Sequence, residues 1–426
     1  MKKLIKRYRY YEKKQFVKVI ITFSLFILCL GCQNNQSRNI IIPQDEETIN
    51  LSFFGYKSEA INVVAIEETL QNYMKDHPHV QISYESVKGT DYYDILSKRL
   101  KNGSIDDIFM IDKEYLQKFK NSGYFEDLSD LSTISNFSQR SLEQMKDEDG
   151  QIYYVPSTIS AFGLYCNLDL LKKHNQSIPQ NEDEFMKVCQ YFVDQGITPL
   201  VANNDISLKT IAIAKGLYPL YQEENYREII EKMNNDSQIL KDYMRPGYEL
   251  VEKLIKNKFV DAKATLKTQK TQDDLTQFSK GENPFMLTGA WAAVRMEKMA
   301  PELKFEVHPY PILDNGSVLV TNIDTRLCVN AKGKHVEEAK KFIEYMTQTE
   351  EMWKFVDNQC SFSPLNNNQL STNKAVQPLN KYLNDQQSIL GSNQLIDYEM
   401  WTHTRSGVQL LLQGETVEAA LELIKK

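Results

Sequence analysis

The sequence is poor in cysteine and lacks the short motifs that mark many enzymes. Four of its six cysteines lie beyond residue 32, and these four show no CxxC or other metal-ligand spacing. The sequence also has no GxSxG, HExxH or GxxxxGK(S/T) motif. These absences argue against serine-hydrolase, zinc-protease and nucleotide-binding chemistry. We therefore expect a protein that is not an enzyme and that uses neither a metal nor a cofactor.

Long apolar runs are scarce, and the most apolar stretch of the sequence lies near the N-terminus. Residues 19–30 are mostly apolar and follow eight Lys and Arg residues. A helix of this length spans about 18 Å, which is short of a hydrocarbon core of about 30 Å. The pattern predicts a signal peptide over residues 1–31. A retained membrane helix is the alternative.

The segment that follows resembles a bacterial lipobox. Leu30-Gly31-Cys32 places a small residue before a cysteine, and the resemblance implies that Cys32 is acylated and becomes the first residue. Two or three acyl chains give stable membrane anchoring. Residues 32–47 are polar, which is typical of a flexible tether. We expect a lipid-anchored protein on the extracellular face of the cell membrane of a Gram-positive bacterium.

Basic charge is not in excess, and this argues against nucleic acid as a partner. The chain carries a net charge of −7, and removal of residues 1–31, with eight Lys or Arg and one Glu, brings it to −14. The remaining residues exceed what one core usually fills, so two domains are expected. We expect Cys166, Cys189, Cys328 and Cys360 to be buried free thiols, although a disulfide is possible outside the cell.

Strand-like and helix-like segments alternate from residue 49 onward, which predicts an α/β fold. The first five segments read as βαβαβ, with strands at 49–54, 80–84 and 108–111 and helices at 61–74 and 92–100. Later segments read as strands at 162–166 and 318–329 and helices at 182–195, 336–347 and 408–424. Residues 208–254 look mostly helical, and Pro219 and Pro246 should interrupt them.

Seven phrases occur in order along the chain and together resemble family 1 of the extracellular solute-binding proteins that serve ABC importers, the group of the maltodextrin-binding proteins. Two positions depart from the family pattern, because Asp106 replaces a usual proline and Cys166 replaces a common tyrosine. The first five phrases are HPHVQI (77–82), NGSIDDIF (102–109), GYFEDL (123–128), YYVP (153–156) and LYCNLDL (164–170). The sixth is Ile178-Pro179 followed by Asp183-Glu184-Phe185, and the seventh consists of Gly281, Met286 and Gly289-Ala290-Trp291.

The resemblance implies two α/β lobes around a ligand cleft, with a hinge that the chain crosses more than once. We expect one lobe to contain residues 48–156 and about 316–360, and the other to contain residues 157–315 and 361–426. The family captures a small molecule, here expected to be a sugar, by hinge closure and delivers it to ABC permease subunits. We expect the chain to be a monomer.

Candidate ligand-binding residues follow from the chemistry of sugars, which present flat CH faces and hydroxyl groups. Trp291 matches an aromatic residue that the family places against a sugar ring. Trp401 and Arg405 match an aromatic residue and a cation on a C-terminal helix, where their spacing puts both on one face. The alternative for each tryptophan is ordinary core packing.

Further candidates lie at strand ends and in the crossing segment, where open α/β sheets bind ligands. Ser160 occupies the position of a ligand-binding carboxylate in maltodextrin binders, which argues against maltodextrin as the ligand. Phe162 belongs to the same segment, and ordinary hinge backbone is the alternative for this residue. Four further candidates rest on position alone: Asp112, Tyr56, Glu85 and Asp205.

Two other functions fit the same sequence. A glycan-active extracellular enzyme would also hold sugars between carboxylates, and it would consume its substrate where a binding protein would not. A ligand sensor of the same fold would feed a membrane receptor instead of an importer. Neighbouring permease genes would favour transport over sensing.

Overall fold

The computed structural model describes residues 48–147, 149–270, 272–366, 369–383 and 387–425. The predicted signal peptide, Cys32 and the tether to residue 47 lie outside this part of the chain. None of the helices in the described residues has the length and apolar character needed to cross a bilayer.

The N-terminal βαβαβ unit is confirmed, with each predicted element present. Helix α1 buries Ala65, Ile66, Leu70 and Tyr73 along one face, as its apolar spacing predicts. Strand β1 pairs in parallel with both β2 and β3. The elements are β1 (Ile49–Gly55), α1 (Ala60–Asp76), β2 (Val80–Ser86), α2 (Thr90–Asn102) and β3 (Ile108–Ile111).

Two long strands that pair with each other lie in the middle of the sheet. Strand β4 (Val155–Asn167) pairs antiparallel with β9 (Gly316–Val329), from Val155 opposite Leu327 to Phe162 opposite Val320. Strand β9 also pairs with β3. The predicted strand at 162–166 is therefore only the C-terminal part of β4. The remaining strands are β5 (Leu200–Val201), β6 (Phe285–Gly289), β7 (Phe305–His308), β8 (Tyr310–Leu313) and β10 (Ser388–Leu390).

Helices cover the sheet. The 3₁₀ helices are Lys120–Ser122, Ser132–Asn136, Ala290–Ala292 and Lys374–Tyr382. The helices after β3 are α3 (Lys113–Phe119), α4 (Gln139–Met145), α5 (Leu168–Lys173), α6 (Glu182–Asp194), α7 (Ser207–Gln222), α8 (Tyr226–Asn235), α9 (Ser237–Lys256), α10 (Ala262–Lys267), α11 (Asp273–Phe278), α12 (Ala293–Met299), α13 (Val336–Met346), α14 (Thr349–Asp357), α15 (Met400–Leu412) and α16 (Val417–Leu421).

The predicted interruptions at the two prolines are wrong. Pro219 lies inside α7 and Pro246 lies inside α9. The helices pack so closely that a Cβ atom at Gly247 would lie 2.1 Å from the carbonyl oxygen of Ala212. A proline in a helix interior costs about 3 kcal/mol, and burial of both helices along their contact offsets that cost.

Buried apolar residues form two large clusters and a smaller one. The first draws on β1 to β3, α1, α2, the C-terminal half of β9, α13 and α14. The second draws on α6, α7, α9 and alternate residues of β4 and β6. The smaller cluster contains the intervening residues, such as Tyr165 and Met286. Ile49–Lys426 nevertheless forms one unit, because strands of both large clusters join one sheet.

The four cysteines in the described residues are free and buried, as predicted. Burial raises the pKa of each of these thiols. Because the thiolate is the reactive form of cysteine, these side chains are inert at neutral pH.

Candidate functional site

One face of β4 and its partner β9 forms the floor of the candidate site. Side chains of alternate residues on a strand share a face, so Ser160 and Phe162 point the same way. Ser160 lies opposite Asn322, and Thr158 lies opposite Asp324. Polar and aromatic side chains thus lie side by side in the middle of the sheet.

Three aromatic residues meet at Phe162, and we call them the aromatic wall. The ring centroids of Trp291 and Trp401 each lie 5.2 Å from that of Phe162. Phe162 is 3% exposed, whereas both tryptophans are partly exposed. The structure therefore brings these three predicted residues together and leaves indole surface open to a ligand.

Because Gly289 has no side chain, the indole of Trp291 can pack over it and join the aromatic wall. This residue ends β6, and a Cβ atom here would lie 2.0 Å from the indole ring of Trp291. Its backbone has φ −79° and ψ 150°, which any residue adopts. The Gly-Ala-Trp phrase thus contains glycine because the indole folds back over it.

A charged group lies beside Trp401. The Nζ atom of Lys209 lies 4.1 Å from the centroid of the Trp401 ring and 2.8 Å from Oδ1 of Asp205. Lys270 contacts the other oxygen of Asp205 at 2.7 Å, and Arg405 lies 4.0 Å from Oδ1. The predicted residues Asp205, Arg405 and Trp401 are thus close together, and Lys209 joins them.

Lys209 is buried, with a side-chain exposure of 1%. Burial lowers the pKa of Lys209 to about 8, and the attraction of Asp205 compensates only in part. Burial would raise the pKa of Asp205, but Lys209 and Lys270 hold it below its usual value. The i, i+4 spacing of Asp205 and Lys209 was the only signal in the sequence for this pair.

Asp324 lies at the centre of a second group, which we call the carboxylate centre. Its carboxylate accepts hydrogen bonds from the hydroxyl groups of Tyr56 at 3.2 Å and Ser160 at 2.9 Å. It also pairs with Lys57 at 3.1 Å and accepts from the backbone N–H of Thr325 at 2.7 Å. Sequence reasoning found Tyr56 and Ser160 but missed Asp324. Asp324 of the neighbouring strand thus places a carboxylate beside Ser160.

Charged partners set the ionisation of the carboxylate centre. Burial would raise the pKa of Asp324, but Lys57, the Thr325 N–H and the Ser160 hydroxyl hold it below its usual value. Burial and the charge of Asp324 raise the pKa of the Tyr56 phenol. At neutral pH the centre therefore presents a carboxylate and a neutral phenol. Because the phenol O–H is donated to Asp324, both groups offer a polar ligand oxygen atoms that accept hydrogen bonds.

Thr325 and Arg326 make β9 irregular at this point. Thr325 has a φ of 50°, a left-handed conformation that is rare for a β-branched residue and occurs often at functional sites. The Arg326 guanidinium lies 5.3 Å from the Tyr154 ring centroid. Its buried Nε atom has no hydrogen-bond partner in the described residues.

Gly391 lies between Asn322 and Trp401 of the aromatic wall. A Cβ atom at this position would lie 3.0 Å from Oδ1 of Asn322 and 3.3 Å from the Trp401 ring. Asn322 therefore lies near the indole, and its Oδ1 accepts the backbone N–H of Ser392 at 2.8 Å.

Two further predicted residues already have protein partners. Asp112 caps α3 by accepting the backbone N–H of Tyr115 at 2.9 Å, and burial raises its pKa. Glu85 is exposed and pairs with Arg99 at 2.8 Å, so the structure does not join it to either group. Their roles stay predictions. The described residues contain no cluster of three or more His, Cys, Asp or Glu side chains suited to a metal.

Comparison with known proteins gives one family. Residues 56–353 match the sequence profile of the family described as bacterial extracellular solute-binding protein. The multiple sugar-binding protein of Streptococcus mutans is 21% identical over 88% of this chain and 87% of its own length. The melibiose/raffinose/stachyose-binding protein MelE of Bacillus subtilis is 20% identical over 77% of this chain and 76% of its own length.

A solved structure gives the same fold. The solute-binding protein RafE in complex with raffinose superposes with a TM-score of 0.69 at 20% identity, covering 88% of this chain and 97% of RafE. The predicted α/β fold with two lobes is thereby confirmed. At this identity the likeness concerns the fold alone.

Proposed function

The chain belongs to the bacterial extracellular solute-binding protein family, and from this premise we propose that it binds a carbohydrate outside the cell and delivers it to the permease of an ABC importer. The relatives named above are sugar-binding proteins. We propose that the ligand is a mono- to oligosaccharide held between the lobes by closure and released unaltered.

The juxtaposition of the aromatic wall and the carboxylate centre carries this proposal. Sugar rings stack their CH faces on indoles and place their hydroxyls against carboxylates and phenols. Trp291 and Trp401 both contact Phe162, are partly exposed and provide the first kind of surface. Asp324 and Tyr56 provide the second kind.

The lobe boundaries support a hinge near the carboxylate centre. We propose that residues 48–156 and about 316–360 form one lobe and that residues 157–315 and 361–426 form the other. Most of the first large apolar cluster falls in the former set and most of the second in the latter. With these boundaries β4 would pass between the lobes after residue 156. Ser160 of one lobe would then contact Asp324 of the other, where closure brings both lobes onto the ligand.

A thermal shift screen of the purified full chain in detergent tests the proposed function. The panel contains melibiose, raffinose, stachyose and maltotriose, with glutamine as a non-sugar control. A ligand at 100 times its dissociation constant stabilises a protein by about 2.7 kcal/mol, which raises the melting temperature visibly. We expect a sugar to do so and glutamine not to. No shift with any sugar would contradict the proposal.

We also propose that residues 1–31 are removed and that Cys32 carries the lipid anchor. Labelling of growing cells with an alkyne-tagged palmitate tests this. The wild-type chain and Cys29→Ser should take up label, and Cys32→Ser should not. Label on Cys32→Ser would contradict acylation at this position.

A further inference from the structure

Lys209 is an unexpected residue behind a sugar platform, because its side chain is almost completely buried. A buried ammonium costs several kcal/mol in desolvation, and an apolar residue of similar size is often as stable or more so in its place. Packing alone therefore gives no reason for a lysine here. Its nearest aromatic partner is Trp401, whose ring centroid lies 4.1 Å from Nζ.

The contact between Lys209 and Trp401 is a cation–π interaction in a desolvated setting. The ring face of an indole has a negative electrostatic potential and attracts an ammonium within about 6 Å of the ring centroid. Asp205 holds Nζ at 2.8 Å through its Oδ1 atom, whereas Lys270 contacts only the other oxygen of that carboxylate. The Lys209 ammonium is thus held by the Asp205 carboxylate and in turn restrains the orientation of the Trp401 indole.

We propose that Lys209 is a positioning residue, whose ammonium fixes the indole of Trp401 in the orientation that receives a sugar ring. This inference rests on the proposed carbohydrate function and adds to it the residue that sets the platform. The sugar would use the indole surface that Lys209 and Phe162 leave open. Lys209 itself would not touch the sugar.

The charge on Lys209 gives the inference a pH dependence. The charged groups that face Lys209 are Asp205, Lys270 and Arg405. Because the pKa of Lys209 is about 8, the ammonium is present at pH 7 and is lost as the pH rises through that value. Affinity for a neutral sugar should fall over the same range. Lys113 also has a pKa of about 8, so variants must assign the effect.

The test is a raffinose titration of the full chain, in detergent, by calorimetry at pH 7 and about pH 9.5. We expect Lys209→Met to weaken binding about tenfold at pH 7, because a desolvated cation–π contact contributes of that order. We also expect this variant to bind equally at both pH values. Wild type should be about tenfold weaker at the higher pH. Melting temperatures show that the variant is folded.

Lys270→Met is the matched control, because Lys270 contacts the same carboxylate. It should bind raffinose as tightly as wild type at pH 7. Its loss of affinity should begin at higher pH, since the charge of Lys270 lowers the pKa of Lys209. A weakening at pH 7 equal to that of Lys209→Met would overturn the inference.

Tryptophan fluorescence provides a readout that needs no sugar. Wild type should show an emission change centred near pH 8 that is absent in both Lys209→Met and Trp401→Phe. Raffinose binding by Lys209→Met at wild-type affinity, or no emission change in wild type, would overturn the inference and leave the proposed function standing. If the thermal shift panel selects a sugar other than raffinose, the titrations use that sugar. A wild-type chain that binds no sugar of the panel would contradict the proposed function, and the inference with it.

Discussion

Phe162 is buried while the two tryptophans that contact it stay partly exposed. This order of burial suits a binding wall, because the phenyl ring packs against both indoles and part of each indole surface stays free to contact a ligand. The cost of leaving indole surface in water is recovered when a sugar covers it.

Substitution of Gly289 tests the support of Trp291 without removing the indole. Gly289→Ala adds a methyl group that would lie 2.0 Å from the ring, so the indole must move. We expect sugar affinity to fall at least about 30-fold, as for Trp291→Ala, because a displaced aromatic anchor costs 2 kcal/mol or more. Calorimetric titration measures the effect.

A double variant identifies the cause. If Gly289→Ala acts through the indole, it should have no further effect in a Trp291→Ala background. Additive losses of affinity in the double variant would show that the glycine acts by another route.

Asp324 should make the fold sensitive to acid. Its pKa is held below the ordinary value of 3.8, so its contribution to stability is present above that value. The contribution is lost as the pH falls through the folded-state pKa, because the unfolded state then binds the proton more readily. Urea unfolding between pH 7 and about pH 3 should show a smaller decline for Asp324→Asn than for wild type. Equal declines would contradict the assignment.

The sequence was sufficient to find the aromatic residues together with Arg405 and Asp205, but not Asp324 or Lys209. Trp291 and Trp401 stand in recognisable phrases, whereas Asp324 lies within a strand-like run. Its position beside Ser160 depends on the register between β4 and β9. Lys209 was missed because no sequence pattern distinguishes a buried lysine from an exposed one at the start of a helix.

At the scale of elements, the short strands and most helices follow from apolar spacing, and those of the N-terminal unit agree with prediction to within a few residues. The full length of β4 does not, because Ser157, Thr158 and Ser160 are polar residues in a buried strand. Their hydroxyls are satisfied by β9, where Ser157 donates to the carbonyl of Thr325 and Thr158 to its hydroxyl. Tertiary hydrogen bonds thus decide the extent of this strand.

Gly247 tests the packing that keeps α7 and α9 intact around their prolines. Replacing glycine by alanine inside a helix normally stabilises it by up to about 1 kcal/mol. Here the added Cβ would lie 2.1 Å from the Ala212 carbonyl oxygen, so we expect Gly247→Ala to lower the free energy of unfolding by roughly 2–3 kcal/mol. Urea unfolding measures the change.

Glu249→Ala is the control for that variant, because residue 249 is exposed on the same helix. It should change the free energy of unfolding by less than about 0.5 kcal/mol. A stabilising Gly247→Ala would contradict the close approach of the two helices.

At the scale of the whole molecule, alternating strands and helices predicted the α/β class, and the seven phrases predicted the family and its two lobes. The path of β4 and β9 through both large apolar clusters could not be read from spacing, since it depends on pairing between residues 158 to 172 positions apart. The same path places Ser160 and Asp324 between the clusters, where closure would act on them.

The central claim is that a sugar binds reversibly against the aromatic wall and leaves unchanged. Calorimetric titration of the full chain with raffinose and stachyose, followed by chromatography of the recovered sugar, tests it most directly. We expect saturable binding of one sugar per chain, loss of that binding in Trp291→Ala, and recovery of intact sugar. Hydrolysed sugar, or equal binding by wild type and Trp291→Ala, would contradict it.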